Sequence, residues 1–331
     1  MTTPIFITTG GAGNKNGVIS ARTGAATTLL RYTTGAGPIL GIQLTQDTLP
    51  TSQPISDLLM WGLDFSNPSS LYNNPQFPLS SGILNFSGPI GAAILDHDKN
   101  RMMVAFAPSS GQRMQLIPNA INGRAAASGD GVDDCLLLRV GGALLNNNSS
   151  RIFVVAKSSD WATIATSDSV FLSISDANST IRFLDVGVYG TEIVPNIVFG
   201  NSRIRYGSTI LVNNNAYIME YASIPTSSGT LKYEIVVNGT TQNIDSESFG
   251  PNDGAWYSKV GTNLVGQATG ILTQVTDYLT IGARVTTDIS TPVVSNNAML
   301  GEIRMYRNLS TAQSLVVRSE LATKWGITLH S

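Results

Sequence analysis

Charge, cysteine and histidine are all scarce in this chain. Only 13% of its 331 residues are charged, with 20 Lys plus Arg against 22 Asp plus Glu and no block of like charge. Such a surface suits neither nucleic acid nor an anionic membrane. The single cysteine, Cys135, excludes an intrachain disulfide framework. Its neighbours Val132, Leu136, Leu137 and Leu138 predict a buried, inert thiol. The two histidines, His97 and His330, argue against a zinc site and against a Ser-His-Asp triad. No stretch reaches about 18 uninterrupted apolar residues, so no membrane-spanning helix is expected. There is no Gly-x-Ser-x-Gly elbow and no Gly-Lys-Ser/Thr phosphate loop. The opening MTTPIFITTGGAGNKNG has neither a basic start nor a long apolar centre, which speaks against a secretory signal. Runs of good helix formers are missing before residue 310.

Strand and turn formers fill the space those absences leave. The chain holds 32 glycines and 14 prolines and is rich in Thr, Ser and Asn. Short apolar runs such as 102–107 and 181–184 recur between turn signals, which predicts an all-β sandwich or jelly roll. Asn-Gly pairs at Asn16, Asn122 and Asn238 predict tight hairpin turns. With 42% hydrophobic residues the chain can build a substantial core. No repeat of about 20 to 50 residues is visible, which argues against a solenoid or propeller.

The first 55 residues differ from the rest. Gly10-Gly11-Ala12-Gly13, Thr33 to Pro38 and a Thr/Pro/Ser stretch from Thr45 to Pro54 separate short apolar runs at Ile5-Phe6-Ile7, Leu29-Leu30 and Ile39-Leu40. Such a segment cannot fill a core alone. Two readings stand side by side: a loose extension over the sandwich, or a small attachment module that joins protomers or docks into a larger particle. The expected division is therefore 1–55 and 56–331.

The C-terminal segment is the most specific part. Glu302-Ile303-Arg304-Met305-Tyr306 alternates like a strand with one apolar face. Ser310 with Gln313 three residues on is a capping box. Val317, Leu321 and Trp325 then make one helical stripe, and Gly326 stands where a left-handed cap is wanted. This strand and helix ending in Lys-Trp-Gly resembles the concanavalin A-like, laminin-G-like jelly-roll family. Further segments resemble it in order: Trp61 and Asp64 in the opening strand, the turn at Asn122-Gly123, Gly-Val-Asp-Asp at 131–134, the strand 152–157, the turn at Asn238-Gly239 and the strand 279–283. The sequence departs from the family at Cys135 and near Glu320, where aromatics are usual. The resemblance implies an all-β jelly-roll sandwich over 56–331 with a short C-terminal helix, and binding of glycans or structural display more often than catalysis.

Candidate chemistry is sparse. Asp245-Ser246-Glu247 is the one acid pair at strand spacing that involves a glutamate, and it lies in a polar stretch without apolar flanks to position it. Asp96-His97-Asp98 reads as a polar hairpin tip, since a strand would turn His97 away from both aspartates. His330, next to the end, is expected to fray. Asp130, Asp133 and Asp134, three aspartates within five residues beside Gly129 and Gly131, are candidate calcium ligands, with turn capping as the plainer alternative. Trp161, Tyr189, Tyr206, Tyr217, Trp256 and Tyr257 are candidates for stacking on sugar. Trp256-Tyr257 leads because it follows the loop signature 250–254.

These features predict no hydrolytic activity and no cofactor beyond the calcium alternative. Low charge, abundant Thr, Ser, Asn and Gly, and a β-rich body resemble phage fibres, spikes and capsid decorations. The expectation is a virion protein: residues 1–55 engage other virion proteins or sister protomers in a homo-oligomer such as a trimer, and the jelly roll faces host surface glycan. The rival readings are a polysaccharide-degrading enzyme of the same fold and an extracellular bacterial adhesin.

Overall fold

The computed structural model describes residues 15–23, 26–34, 45–47, 54–73, 87–96, 103–141, 150–161, 169–176, 182–189, 193–199, 202–206, 209–225, 230–242, 244–248, 257–260, 263–267, 276–285, 292–295 and 298–330, some strands by backbone path alone. The chain divides into two units, residues 1–54 and 55–331.

In the first unit, Lys15–Thr23 pairs antiparallel with Ala26–Thr34, which pairs in turn with Thr45–Asp47. Asn16-Gly17 is not a turn: Asn16 pairs with Thr33 and Gly17 with Tyr32 inside a continuous nine-residue strand. The ladder overrides the local turn preference. The runs Ile5-Phe6-Ile7 and Ile39-Leu40 lie outside the described residues.

As described, the second unit is an all-β sandwich with a C-terminal helix, as its sequence predicts. The first sheet runs Tyr257–Val260, Asn263–Gln267, Thr230–Val237, Ala216–Pro225, Ser150–Lys157, Met299–Arg307, Arg124–Ser128, Gln115–Ile121 and Gly88–Pro89. Leu59–Asp64 also pairs with Met299–Arg307, and Thr240–Thr241 with Thr230–Val237. The second sheet runs from Ile244–Ser248 through Ser202–Tyr206, Val194–Phe199, Arg182–Tyr189, Ser169–Asp176, Thr276–Ile281, Leu136–Gly141, Met103–Phe106 and Ala92–Leu95 to Leu71–Tyr72. All pairings described in both sheets are antiparallel.

Alternation along Ser150–Lys157 builds two cores from one strand. Ile152, Val154 and Ala156 join Leu136, Leu172, Ile174, Leu279 and Ile281 between the sheets. Phe153 and Val155 face the other way and pack with Val317, Leu321 and Trp325 of the helix Thr311–Trp325. The helix begins at a complete capping box on Ser310 and Gln313, and Gly326 closes it in the left-handed conformation at φ 60°.

Trp325 and Lys324 at the end of that helix are tied to the strand Met299–Arg307. A Cβ on Gly301 would sit 2.7 Å from the Trp325 ring, so glycine lets the indole lie on the strand. Trp325 Nε1 donates to Glu302 Oε2 at 2.9 Å. Lys324 Nζ donates to the same oxygen at 2.6 Å and to Asp64 Oδ2 at 2.6 Å. Arg304 Nε donates to Glu302 Oε1 at 2.6 Å. Burial works against the Arg304 charge, but Glu302 and Tyr306 outweigh it and raise its pKa. Trp61, fully buried, belongs to the core between the sheets. The free thiol of Cys135 is buried as well, and burial pushes its pKa up to about 12.

A candidate ligand-binding cleft

Four segments distant in sequence wall a single cavity of about 480 Å³. Two are hairpin turns, Asn122-Gly123 and Asn238-Gly239, whose φ values of 47°, 82°, 45° and 95° fit type I′ turns. The third is the loop 209–215 before the strand Ala216–Pro225, and the fourth is the tail 326–330 after the helix.

Each wall is tied down. Asn122 Nδ2 donates to Trp325 O at 2.8 Å and to Gly326 O at 3.2 Å, which caps the helix carbonyls and fixes where the tail departs. The tail crosses to the second turn, where His330 N donates to Asn238 O at 2.6 Å. Only a glycine fits at 239, because a Cβ there would run into His330 O. Asn238 Oδ1 accepts from Ile218 N at 2.8 Å. In the loop, Asn214 N donates to Ser158 O at 2.7 Å and Val212 N to the Tyr217 hydroxyl at 2.8 Å. Trp161 N donates to Asn213 Oδ1 at 2.7 Å, and the buried Trp161 ring meets Tyr217 edge-on, centroids 6.3 Å apart.

The lining is neutral and mixed. Asn122, Asn214, Asn215, Asn238, Thr209, Thr240 and Thr328 supply amides and hydroxyls, and Tyr217, Val237, Ala216 and Ile327 supply apolar surface. His330 is the one histidine in the lining, and among the described residues no Asp, Glu, Lys or Arg lines the cleft. The size falls within the usual range for small-molecule sites. The expected fraying of His330 does not occur, because its backbone bond to Asn238 anchors the tail.

Of the residues singled out in the sequence, Tyr217, Asn122, Asn238, Gly326 and His330 line the cleft. Trp161 supports it from the core. Trp256 lies outside the described residues, and Tyr257 opens the outermost strand of the first sheet, paired with Gly266. Tyr189 and Tyr206 end strands of the second sheet. His97 and Asp98 lie outside the described residues, while Asp96 bridges Gly62 through two backbone bonds of 2.7 Å. Asp245 and Glu247 stand on the strand Ile244–Ser248, paired with Ser202–Tyr206. Pairing with that neighbour supplies the order that flanking apolar residues do not. Asn214, Asn215, Thr209, Thr240 and Thr328 carried no sequence signal beyond that of loop and strand-edge composition.

Asp130, Asp133 and Asp134 do come together, with one ligand oxygen of each within 4.8 Å of the others. Asp130 Oδ1 accepts from Val132 N at 2.8 Å and Asp133 N at 3.3 Å, and Asp134 Oδ2 accepts from Asp130 N at 3.0 Å. Burial, with Asp130 and Asp133 nearby, pushes the Asp134 carboxyl up to about 6. Calcium takes six to eight oxygens. These three carboxylates, two of them already closing the turn through amide bonds, supply only part of such a shell.

No known protein family matches the sequence, and no curated protein matches it either. Among solved structures, the botulinum neurotoxin serotype D binding domain aligns with a TM-score of 0.37 and 11% identity over 83% of this chain and 55% of that one. The chain thus spans little more than half of the toxin domain. The T. cruzi calreticulin globular domain aligns with a TM-score of 0.40 and 8% identity over 81% of this chain and 93% of its own. A carbohydrate esterase from the Shiga toxin-encoding bacteriophage phi24B aligns with a TM-score of 0.32 and 12% identity, covering 60% and 88%. At these scores the likenesses lend nothing to a functional reading.

Proposed function

We propose that this chain is a virion surface protein whose sandwich binds host glycan, without hydrolysing it, in the cleft between the two Asn-Gly turns. One observation carries the reading: a cavity of about 480 Å³ whose lining combines amides and hydroxyls with the apolar side chains of Tyr217, Val237, Ala216 and Ile327. Sugars present hydroxyls on their edges and an apolar C–H face, and this lining offers partners for both. Glycoside hydrolysis by the usual route needs two carboxyl groups flanking the bond. The described walls of this cleft offer none, which favours retention over cleavage. The virion setting rests on composition, and residues 1–54, a unit of their own, are the segment assigned to assembly with sister protomers or other virion proteins.

Binding of the fluorescently labelled protein to host cells tests the reading. Asn215→Trp, an exposed position on the cleft wall, should abolish binding while leaving the melting temperature unchanged. Binding that survives this block places adhesion elsewhere. Release of reducing ends from host polysaccharide would establish the enzyme instead.

A further inference from the structure

We infer that the cleft selects uncharged saccharides and rejects acidic ones; this rests on the glycan-binding reading above and names its ligand class. Two amides in the lining have fixed orientations. Asn122 spends Nδ2 on the carbonyls of Trp325 and Gly326, which leaves its Oδ1 as an acceptor. Asn238 commits Oδ1 to Ile218 N, which leaves its Nδ2 as a donor. One held acceptor and one held donor suit a hydroxyl group, which both donates and accepts. A carboxylate only accepts, so the Asn122 oxygen opposes it.

Charge points the same way. Among the described residues, no lysine or arginine lines the cleft. Arg318, which donates to Gly239 O at 3.4 Å behind the second turn, is buried and paired with Glu220, its Nε 3.2 Å from Oε2. A uronic or sialic acid would therefore surrender hydration of its carboxylate without gaining a lysine or arginine partner. A neutral pyranose exchanges water for amides and hydroxyls and lays its C–H face on apolar side chains.

The test is calorimetric titration of the full chain with two probe sets: neutral mannotriose and tri-N-acetylglucosamine against acidic sialyllactose and trigalacturonate. Two variants accompany it. Asn215→Trp fills the cleft, and Thr240→Lys adds a cation at an exposed wall position. The expected result is binding of a neutral probe at least about tenfold tighter than either acid, since an unpaired buried charge is disfavoured. Asn215→Trp should abolish that binding, and Thr240→Lys should bring acidic binding up by about tenfold. Acidic probes that bind the parent as tightly as neutral ones, and are lost in Asn215→Trp, overturn this inference and leave the glycan-binding reading intact. Binding of neither set overturns both. Binding that Asn215→Trp leaves untouched removes the cleft from both.

Discussion

The two faces of Ser150–Lys157 bury side chains of opposite character. On the face toward the second sheet, Ile152, Val154 and Ala156 join a cluster of hydrophobic side chains, in which the Tyr221 hydroxyl donates to Gly187 O at 2.9 Å. The face toward the helix buries ions as well. Arg151, Glu220 and Arg318 are almost wholly enclosed there, with Arg151 paired to Glu220 Oε1 and Ser314 Oγ donating to both Glu220 oxygens at 2.8 Å. Arg151 Nε also donates to Leu309 O at 3.1 Å, next to the helix cap. The hydrocarbon face holds the sheets by area removed from water, which is nondirectional. The helix face adds directional bonds, and these specify where the helix lies and how it is rotated.

That contrast is broken most directly by removing the anchors of the helix face. Trp325→Ala should cost roughly 3–5 kcal/mol, as large aromatic truncations in cores do. A thermal melt within about a degree of the parent would show that the helix is not docked on the sheet. Glu220→Gln should cost a similar amount, roughly 3–5 kcal/mol, because two arginines are left buried without a carboxylate. The companion triple variant Arg151→Met, Glu220→Leu, Arg318→Met should recover much of the loss in urea unfolding. If it does not, the ions contribute stability beyond helix placement.

Smaller effects sharpen the comparison. Gly301→Ala should cost about 1–3 kcal/mol, since its Cβ would press on the Trp325 ring. On the hydrocarbon face, Ile152→Val should cost only about 0.5–1.5 kcal/mol. Equal losses in these two variants would mean that Trp325 shifts freely and that the helix face is as forgiving as the other.

The helix was legible in the sequence because its signals are local. Ser310 and Gln313 are three residues apart, and Val317, Leu321 and Trp325 follow the helical period. The turns at Asn122 and Asn238 were legible for the same reason, and the one at Asn16 failed because ladder pairing decides there. Strand order was not legible. Ser150–Lys157 takes Met299–Arg307 as a neighbour, and no local pattern announces a partner so far along the chain. Alternation would place Arg151 on a solvent face, and only the returning helix makes it an interior residue. The cleft was hidden in the same way. Asn122 and Asn238 read as turn residues, and Asn214 and Thr328 as ordinary loop residues, until the fold brings all four to one cavity.

An effect as small is expected at a buried carboxylate with the opposite surroundings to Glu220. Asp134 has two aspartates beside it, and burial followed by their charge raises its pKa from 3.8 to about 6. The folded state thus holds the Asp134 proton more tightly than the unfolded chain does. Its contribution to stability is fully present below pH 3.8 and is lost as pH rises through about 6. Asp134→Asn keeps an oxygen for the Asp130 amide and removes the charge. It should raise stability by about 1 kcal/mol at pH 7.5, after allowance for solvent screening, and the gain should vanish near pH 4. Melting curves of both proteins across that range, each with and without EDTA, decide the matter. A pH-independent difference would mean that the side chain's shape and not its charge sets the effect. Calcium belongs to the same experiment: a trio in which two carboxylates already close a turn should give melts indifferent to EDTA. A calcium-dependent rise in the parent that Asp134→Asn abolishes would instead make the trio part of an ion site, completed by oxygens beyond its own carboxylates.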